Sequence, residues 1–233
     1  MKNINYTKIK KVRELEYALT GSHTNRMYEK GSHRRRKDVI EELLLKYKDR
    51  FCTGNVLDYG CAEGLYCKFM RDRGFRKVFG CDISTSKIKE AKRKYGNEGI
   101  VFFDTENFGK NRKYKLILCA EVLQHIPNYI DTLNLFKRVL CKDGFLLISI
   151  PNLSKKEKHE FADIDDSMTA EELLREIGGA GFGRQNAIWK FNSARFFHEM
   201  QKDFNVVRIK KIDTPDGKIR NLWTVGLLRK KQK

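Results

Sequence analysis

The stretch Val56-Leu57-Asp58-Tyr59-Gly60-Cys61-Ala62-Glu63-Gly64 constrains the fold of this chain more than any other. Apolar residues running into a carboxylate read as a short strand over Asn55–Asp58. Small residues then turn the chain, and Leu65–Arg73 has helical spacing. Gly60 and Gly64 permit backbone conformations and close approaches that a side chain would block. A strand, a tight loop and a helix in this order open a βαβ unit, and such units bind ligands at the carboxyl ends of their strands.

The alternation continues downstream. Strands are expected at Lys77–Cys81, Ile100–Phe103, Tyr114–Cys119 and Gly144–Ile150. Helices are expected at Ser84–Tyr95, with Ser86 as a cap, and at Tyr129–Leu140. Five strands alternating with helices argue for a parallel sheet covered on both faces. Upstream, Asp38–Tyr47 has helical spacing, and a short helix is expected around Lys11–Leu19. The tail differs: Thr169–Ile177 and Ser193–Phe204 read as helices, and Asn205–Ile212 and Leu222–Leu228 as strands. The turn sequence Thr214-Pro215-Asp216-Gly217 joins those two strands, so they must pair antiparallel.

The 233 residues include 48 Lys+Arg and 30 Asp+Glu, a net charge of +18. Residues 1–50 hold 14 basic and 7 acidic side chains, and residues 200–233 hold 10 and 3, so the two ends carry most of the excess. Such a surface attracts polyanions, RNA among them, although a merely well-solvated surface has the same composition. Hydrophobic residues make up 40%, enough for one sizeable core, and no apolar run approaches the ~18 residues of a membrane helix. The opening Met-Lys-Asn-Ile-Asn-Tyr lacks the apolar stretch of a secretory signal. Cys52, Cys61, Cys67, Cys81, Cys119 and Cys141 form no Cys-x-x-Cys pair and are expected as free thiols. A cytoplasmic location is the expectation.

Asp82 ends the second strand 18 residues after Gly64, where a carboxylate can accept hydrogen bonds from both hydroxyls of a ribose. The loop is not Gly-x-Gly-x-x-Gly, because Ala62 and Glu63 stand inside it. Glu63 would oppose a pyrophosphate electrostatically, whereas a cofactor bearing an amino group and a sulfonium suits an acidic loop. No Gly-x-x-x-x-Gly-Lys-[Ser/Thr] sequence for a nucleoside triphosphate is present.

At these residues the chain resembles the class I S-adenosylmethionine-dependent methyltransferases. Val56–Gly64 resembles their first motif, Phe79–Ser84 the second, Phe103-Asp104 the third and Tyr114–Pro127 the fourth. Leu140–Pro151 resembles the segment entering strand five, and the match spans about residues 52–152 in the expected order. The wording of the fourth motif is most similar to the ubiquinone-biosynthesis type. The resemblance implies an α/β, Rossmann-like, doubly wound seven-stranded sheet with the last strand antiparallel. It also implies a basic helical extension over 1–50, a methyltransferase domain over 51–233, and an acceptor-site insertion over 150–204.

Site roles follow from the same resemblance. Backbone groups of Gly60, Cys61 and Ala62, with Gly64 closing the loop, would hold the methionine part of S-adenosylmethionine. Asp58 would help bind the amino group or order the loop. Asp82 would take the ribose hydroxyls and Ile83 the adenine face. Asp104 would accept from the adenine amino group, with Thr105 beside the ring. Cys119 and Ala120 would floor the pocket near the sulfonium. Arg36, leading into the helix after Arg34-Arg35, would meet the cofactor carboxylate. Ala62 stands where the family usually has glycine.

His125 is the candidate general base, since its ordinary pKa suits proton transfer near neutrality. A structural histidine is the competing reading. A metal on Glu121 and His125, as in small-RNA-end methyltransferases, is disfavoured because Gln124 occupies the position of a further acidic ligand. Ile177–Arg184 is glycine-rich and reads as a lid or helix stop. Trp189 and Phe191 are candidates for the acceptor pocket, with aromatic core as the alternative. The expected acceptor is an oxygen or nitrogen of a small metabolite or glycan. RNA held by the basic ends, or a catalytically inactive cofactor-binding subunit, are the alternatives.

Overall fold

The computed structural model describes residues 6–20, 31–108, 112–152, 160–161, 169, 172 and 189–232. Its helices are α1 (Tyr6–Thr20), α2 (Gly31–Lys46), α3 (Leu65–Asp72), α4 (Thr85–Tyr95), α5 (Tyr129–Val139) and α6 (Ser193–Met200). Its strands are β1 (Asn55–Tyr59), β2 (Lys77–Asp82), β3 (Ile100–Asp104), β4 (Tyr114–Ala120) and β5 (Leu140–Pro151), then β6 (Glu160–Phe161), β7 (Trp189–Lys190), β8 (Phe204–Ile212) and β9 (Trp223–Lys230). Seven strands form one sheet in the order β3-β2-β1-β4-β5-β9-β8. β1 to β5 run parallel, and β9 lies antiparallel between β5 and β8. The expected seven-stranded, doubly wound architecture with its last strand reversed is the one observed. The chain direction switches sides between β1 and β4, which opens a crevice at their carboxyl ends.

Successive strand residues alternate between two cores. Val56, Leu116, Leu118 and Leu147 face α2, α3 and α4, where they meet Leu43, Leu44, Met70 and Ile88. Leu57, Ile117, Cys119 and Ile148 face α5 and α6 and meet Leu133, Phe136, Phe196 and Phe197. Burial on both faces explains why these strands read as continuous apolar runs.

Several boundaries move for identifiable reasons. β5 begins at Leu140, because Leu140 pairs with Tyr114 before a bulge, and pairing resumes at Leu116–Phe145. α6 ends at Met200, because the buried Phe204 opens β8. The cap of α4 is Ser84, not Ser86: Ser84 is extended and accepts from the Lys87 N–H at 3.3 Å. α2 begins at Gly31, which puts Arg36 inside the helix rather than ahead of it.

Between β5 and α6 the two-residue strands β6 and β7 pair antiparallel as a separate ribbon. Thr169 and Glu172 exchange the reciprocal hydrogen bonds of a capping box at 2.7 and 3.2 Å. The rest of the expected helix to Ile177 and the glycine-rich Ile177–Arg184 lie outside the described residues. Phe191 is fully buried against Tyr129 and Phe196, so it belongs to the core. Among the described residues no helix is long and apolar enough to cross a membrane.

Candidate functional site

The carboxyl ends of β1, β2 and β3 are stitched together by backbone and carboxylate hydrogen bonds. Gly60 and Cys61 both donate to the Cys81 carbonyl, at 2.7 and 2.9 Å. Asp82 accepts from the Ala62 N–H through Oδ2 and from the Ser84 N–H through Oδ1, both at 2.9 Å. A carboxylate has about four lone-pair sites, so both oxygens retain acceptor capacity. The same side chain can therefore order the loop after β1 and still receive hydroxyls. Asp104 at the end of β3 accepts from Thr85 Oγ1 at 3.4 Å. Ile83 is half-buried between the two acidic strand ends, and Thr105 opens the short turn after β3.

The loop is left-handed at three positions: Gly60 (φ +78°), Ala62 (φ +47°) and Gly64 (φ +86°). A Cβ at Gly60 would lie 2.3 Å from Val122 Cγ2, so the loop packs directly on the segment leaving β4. Ala62 departs from glycine at a position whose backbone favours glycine.

Asp58 sits fully buried beneath this loop, with the Cys67 thiol 3.7 Å from Oδ2. Burial first, and the nearby charge of Asp82 second, push its carboxyl up to about 8. Glu63 is buried too, but it turns to Lys94 of α4 at 2.6 Å. Its charge is thus neutralised away from the crevice. The expected role of Glu63 in selecting a sulfonium over a pyrophosphate does not hold.

A second buried network closes the other side, and it is one the sequence does not signal. Glu121, just beyond β4, is left-handed (φ +61°). It accepts from Ser149 Oγ at 3.0 Å and from Gln124 Nε2 at 3.4 Å, and it lies 3.3 Å from the Arg36 guanidinium. Burial pushes its carboxyl up to about 7, against the opposing pull of Arg36. Arg36 lies 4.5 Å over the Trp223 ring and 3.0 Å from His33 Nδ1. Burial and the Arg36 charge hold His33 down at about 4, so its neutral ring can accept from the guanidinium. Arg36 is thereby engaged with a carboxylate of its own chain.

Cys119 points into the α5 core and burial pushes its thiol well up, so the thiol itself does not line the crevice. Ala120, next along, lies on the opposite face. His125 ends the short turn Leu123–His125, half-buried, with its N–H on the Val122 carbonyl at 2.9 Å. Glu121 and His125 thus leave the same strand end as the glycine loop's neighbour Val122.

Two outcomes follow from this geometry. Ala62→Gly should raise stability by up to ~1 kcal/mol, because a left-handed L-residue costs roughly 1–2 kcal/mol and glycine returns part of that as chain entropy. Urea unfolding measures it. Asp58 has a folded pKa near 8 against an ordinary 3.8, so the folded chain keeps a proton that the unfolded chain releases. That stabilisation is complete below the ordinary value and declines as pH rises toward 8. Asp58→Asn should therefore flatten the fall in unfolding free energy between pH 5 and 8.

Comparison with known proteins agrees with this geometry. Residues 28–204 match the family described as a methyltransferase domain. The ubiquinone biosynthesis O-methyltransferase of Actinobacillus pleuropneumoniae serotype 5b is 29% identical over 133 residues, covering 51% of this chain and 56% of that protein. The Rickettsia bellii protein of the same name is 31% identical over 124 residues, covering 51% and 50%. The chain thus spans about half the length of the curated relatives it matches. The crystal structure of N-methyltransferase NodS from Bradyrhizobium japonicum, in complex with S-adenosylhomocysteine, shares the fold with a TM-score of 0.66 at 14% identity, over 95% of this chain and 98% of that one. Magnesium protoporphyrin IX methyltransferase from Synechocystis does so at 0.64 and 19%, over 95% and 99%. The chain belongs to the methyltransferase-domain family.

Proposed function

We propose that this protein transfers a methyl group from S-adenosylmethionine to an oxygen or nitrogen of a small molecule. The observation that carries the reading is the Asp82 carboxylate, which orders the glycine loop and keeps acceptor capacity at the crevice. The residues present fit such a cofactor. The left-handed loop brings bare backbone to the crevice, a protonated Asp58 lies beneath it, and two further acceptors, Asp82 and Asp104, stand at adjacent strand ends. When bound, S-adenosylmethionine supplies a methyl group already activated on a sulfonium.

Within this reading, Gly60, Cys61, Ala62 and Gly64 hold the methionine portion through backbone groups. Asp58 ionises when an ammonium approaches, because an opposite charge offsets the desolvation that keeps it neutral. Asp82 grips the ribose, Ile83 covers one adenine face, and Asp104 and Thr105 border its edge. Cys119 and Ala120 contribute backbone to the floor. Arg36 acts through Glu121, fixing the exit of β4. His125 takes the acceptor's proton, and alignment with exclusion of water contributes much of the remaining rate. Six free thiols suit a reducing, cytoplasmic setting.

A small acceptor is favoured over RNA by the names of the relatives and structural neighbours, ubiquinone biosynthesis and magnesium protoporphyrin IX among them. β9 runs opposite to the parallel strands, so Lys230 ends at their amino ends, donating to the Lys137 and Leu140 carbonyls at 2.5 and 3.1 Å. The basic carboxyl end is therefore split between the two ends of the sheet, Lys230 at this one and Lys210 and Lys211 at the carboxyl ends of the parallel strands.

Calorimetry with S-adenosylhomocysteine tests the cofactor reading. Asp82→Ala should weaken binding at least tenfold, since hydrogen bonds to charged groups contribute about 1.5–3 kcal/mol. Absence of heat from the parent protein would refute the reading. His125→Ala should lower kcat by about 10²-fold or more and remove the ascending pH limb. An unchanged kcat from pH 6 to 9 would remove His125 from the chemistry.

A further inference from the structure

The first helix precedes the segment matched by the family, residues 28–204, and the family resemblance assigns it no role. Its contacts reach two of the segments expected to hold the cofactor. Lys10 Nζ pairs with Glu106 Oε1 at 3.0 Å, in the turn just beyond Asp104 and Thr105. Glu14 Oε1 accepts from the Ser86 N–H at 3.2 Å, in the first turn of α4 just beyond Asp82 and Ile83. The Tyr17 phenol is pushed up by desolvation first, and then by the charges of Glu63 and Glu90.

Positions 10, 14 and 17 are spaced i, i+4, i+7, which places them on one stripe of a helix. Ile9, Val12 and Arg13 beside that stripe are buried. One helical face thus touches the chain leaving β3 and the chain leaving β2. Glu14 also completes the amino terminus of α4. Ser84 satisfies the Lys87 N–H from within the chain segment, and Glu14 satisfies Ser86 from outside it. Burial raises the Glu14 carboxyl, but hydrogen bonds from Ser86 and its neighbours outweigh this and hold it low. The charged form is the one that binds α4.

We propose that α1 is a strap across the adenosine half of the cofactor site, with Glu14 and Lys10 as positioning residues that set cofactor affinity. The proposal rests on the cofactor reading above. The strap acts by holding the Asp82–Ser84 and Asp104–Glu106 turns at the spacing the ligand needs, so less ordering remains to be done on binding. By reciprocity, a ligand seated on those turns steadies α1.

The test is titration of the full chain with S-adenosylhomocysteine, by calorimetry. Glu14→Ala combined with Lys10→Ala should raise Kd about tenfold. Glu14→Gln should retain near-parental affinity, because its amide oxygen still accepts from Ser86. Lys11→Ala, on the exposed side of the same helix, should leave Kd unchanged. A purely structural helix would lower the melting temperature of the double variant and leave Kd as it was, and that result overturns the strap. Hydrogen exchange on the parent protein gives a second reading that needs no variant. Amides of residues 6–20 should exchange more slowly once S-adenosylhomocysteine is saturating, and unchanged exchange overturns the strap. A parent protein that takes up no ligand refutes the cofactor reading itself. Binding by the parent with equal binding by the double variant refutes the strap alone.

Discussion

The Asp82 carboxylate joins three pieces of backbone: the end of β2, the loop leaving β1 and the turn entering α4. Each of its two hydrogen bonds satisfies an N–H that the local turn leaves without a backbone partner. The loop is otherwise held by the Cys81 carbonyl, which receives two donors at once. Losing the carboxylate would therefore loosen the loop and remove the crevice's principal acceptor together. The tightness of the loop against Val122 extends the constraint to the exit of β4, where Glu121 and His125 begin. Loop order and site chemistry depend on the same atoms.

The buried Asp58 and Glu63 and the half-buried Glu121 surround this junction, and each avoids an isolated charge differently. Glu63 pairs with Lys94, Glu121 is shared among Arg36, Ser149 and Gln124, and Asp58 keeps its proton. Desolvation is the largest influence on both Asp58 and Glu121, so each sits close to its titration point near neutrality. For Asp58 the consequence is a fold that loses stability as pH rises from the ordinary carboxylate value toward 8.

Local patterns carried most of what could be read from the amino acids alone. Alternating apolar runs specified the strands, and Gly60, Gly64 and Asp82 marked the crevice because glycine spacing and a strand-end carboxylate are short-range features. The misreadings are long-range. Glu63 looked like a charge facing the ligand because Lys94, its partner, is distant in the chain. Arg36 looked like the start of a helix because the polar Gly31–Arg35 turn carries no apolar signal, and its partners, Trp223 at the start of β9 and Glu121 just beyond β4, are distant in the chain. Cys119 is turned into the core by the period-two alternation of β4, which could have been counted. Ser84 displaced Ser86 as a cap because the cap position depends on where Asp82 anchors the turn, not on which serine is nearer the apolar stripe.

The charge of the chain separates in space as it does not in composition. Its amino end lies over the carboxyl ends of the strands, where Lys10 reaches Glu106 and Glu14 reaches α4. Lys210 and Lys211 of β8 lie near those carboxyl ends too, but the last strand finishes at the amino ends, because β9 reverses direction beside β5. There Lys113 and Lys230 donate to carbonyls at the close of α5, where the helix dipole favours cations. Burial first, and the charge of Lys113 second, lower the pKa of Lys230. The net charge of +18 is therefore spread over both ends of the sheet, where single cations have local tasks: Lys10 braces the turn after β3 and Lys230 closes a helix.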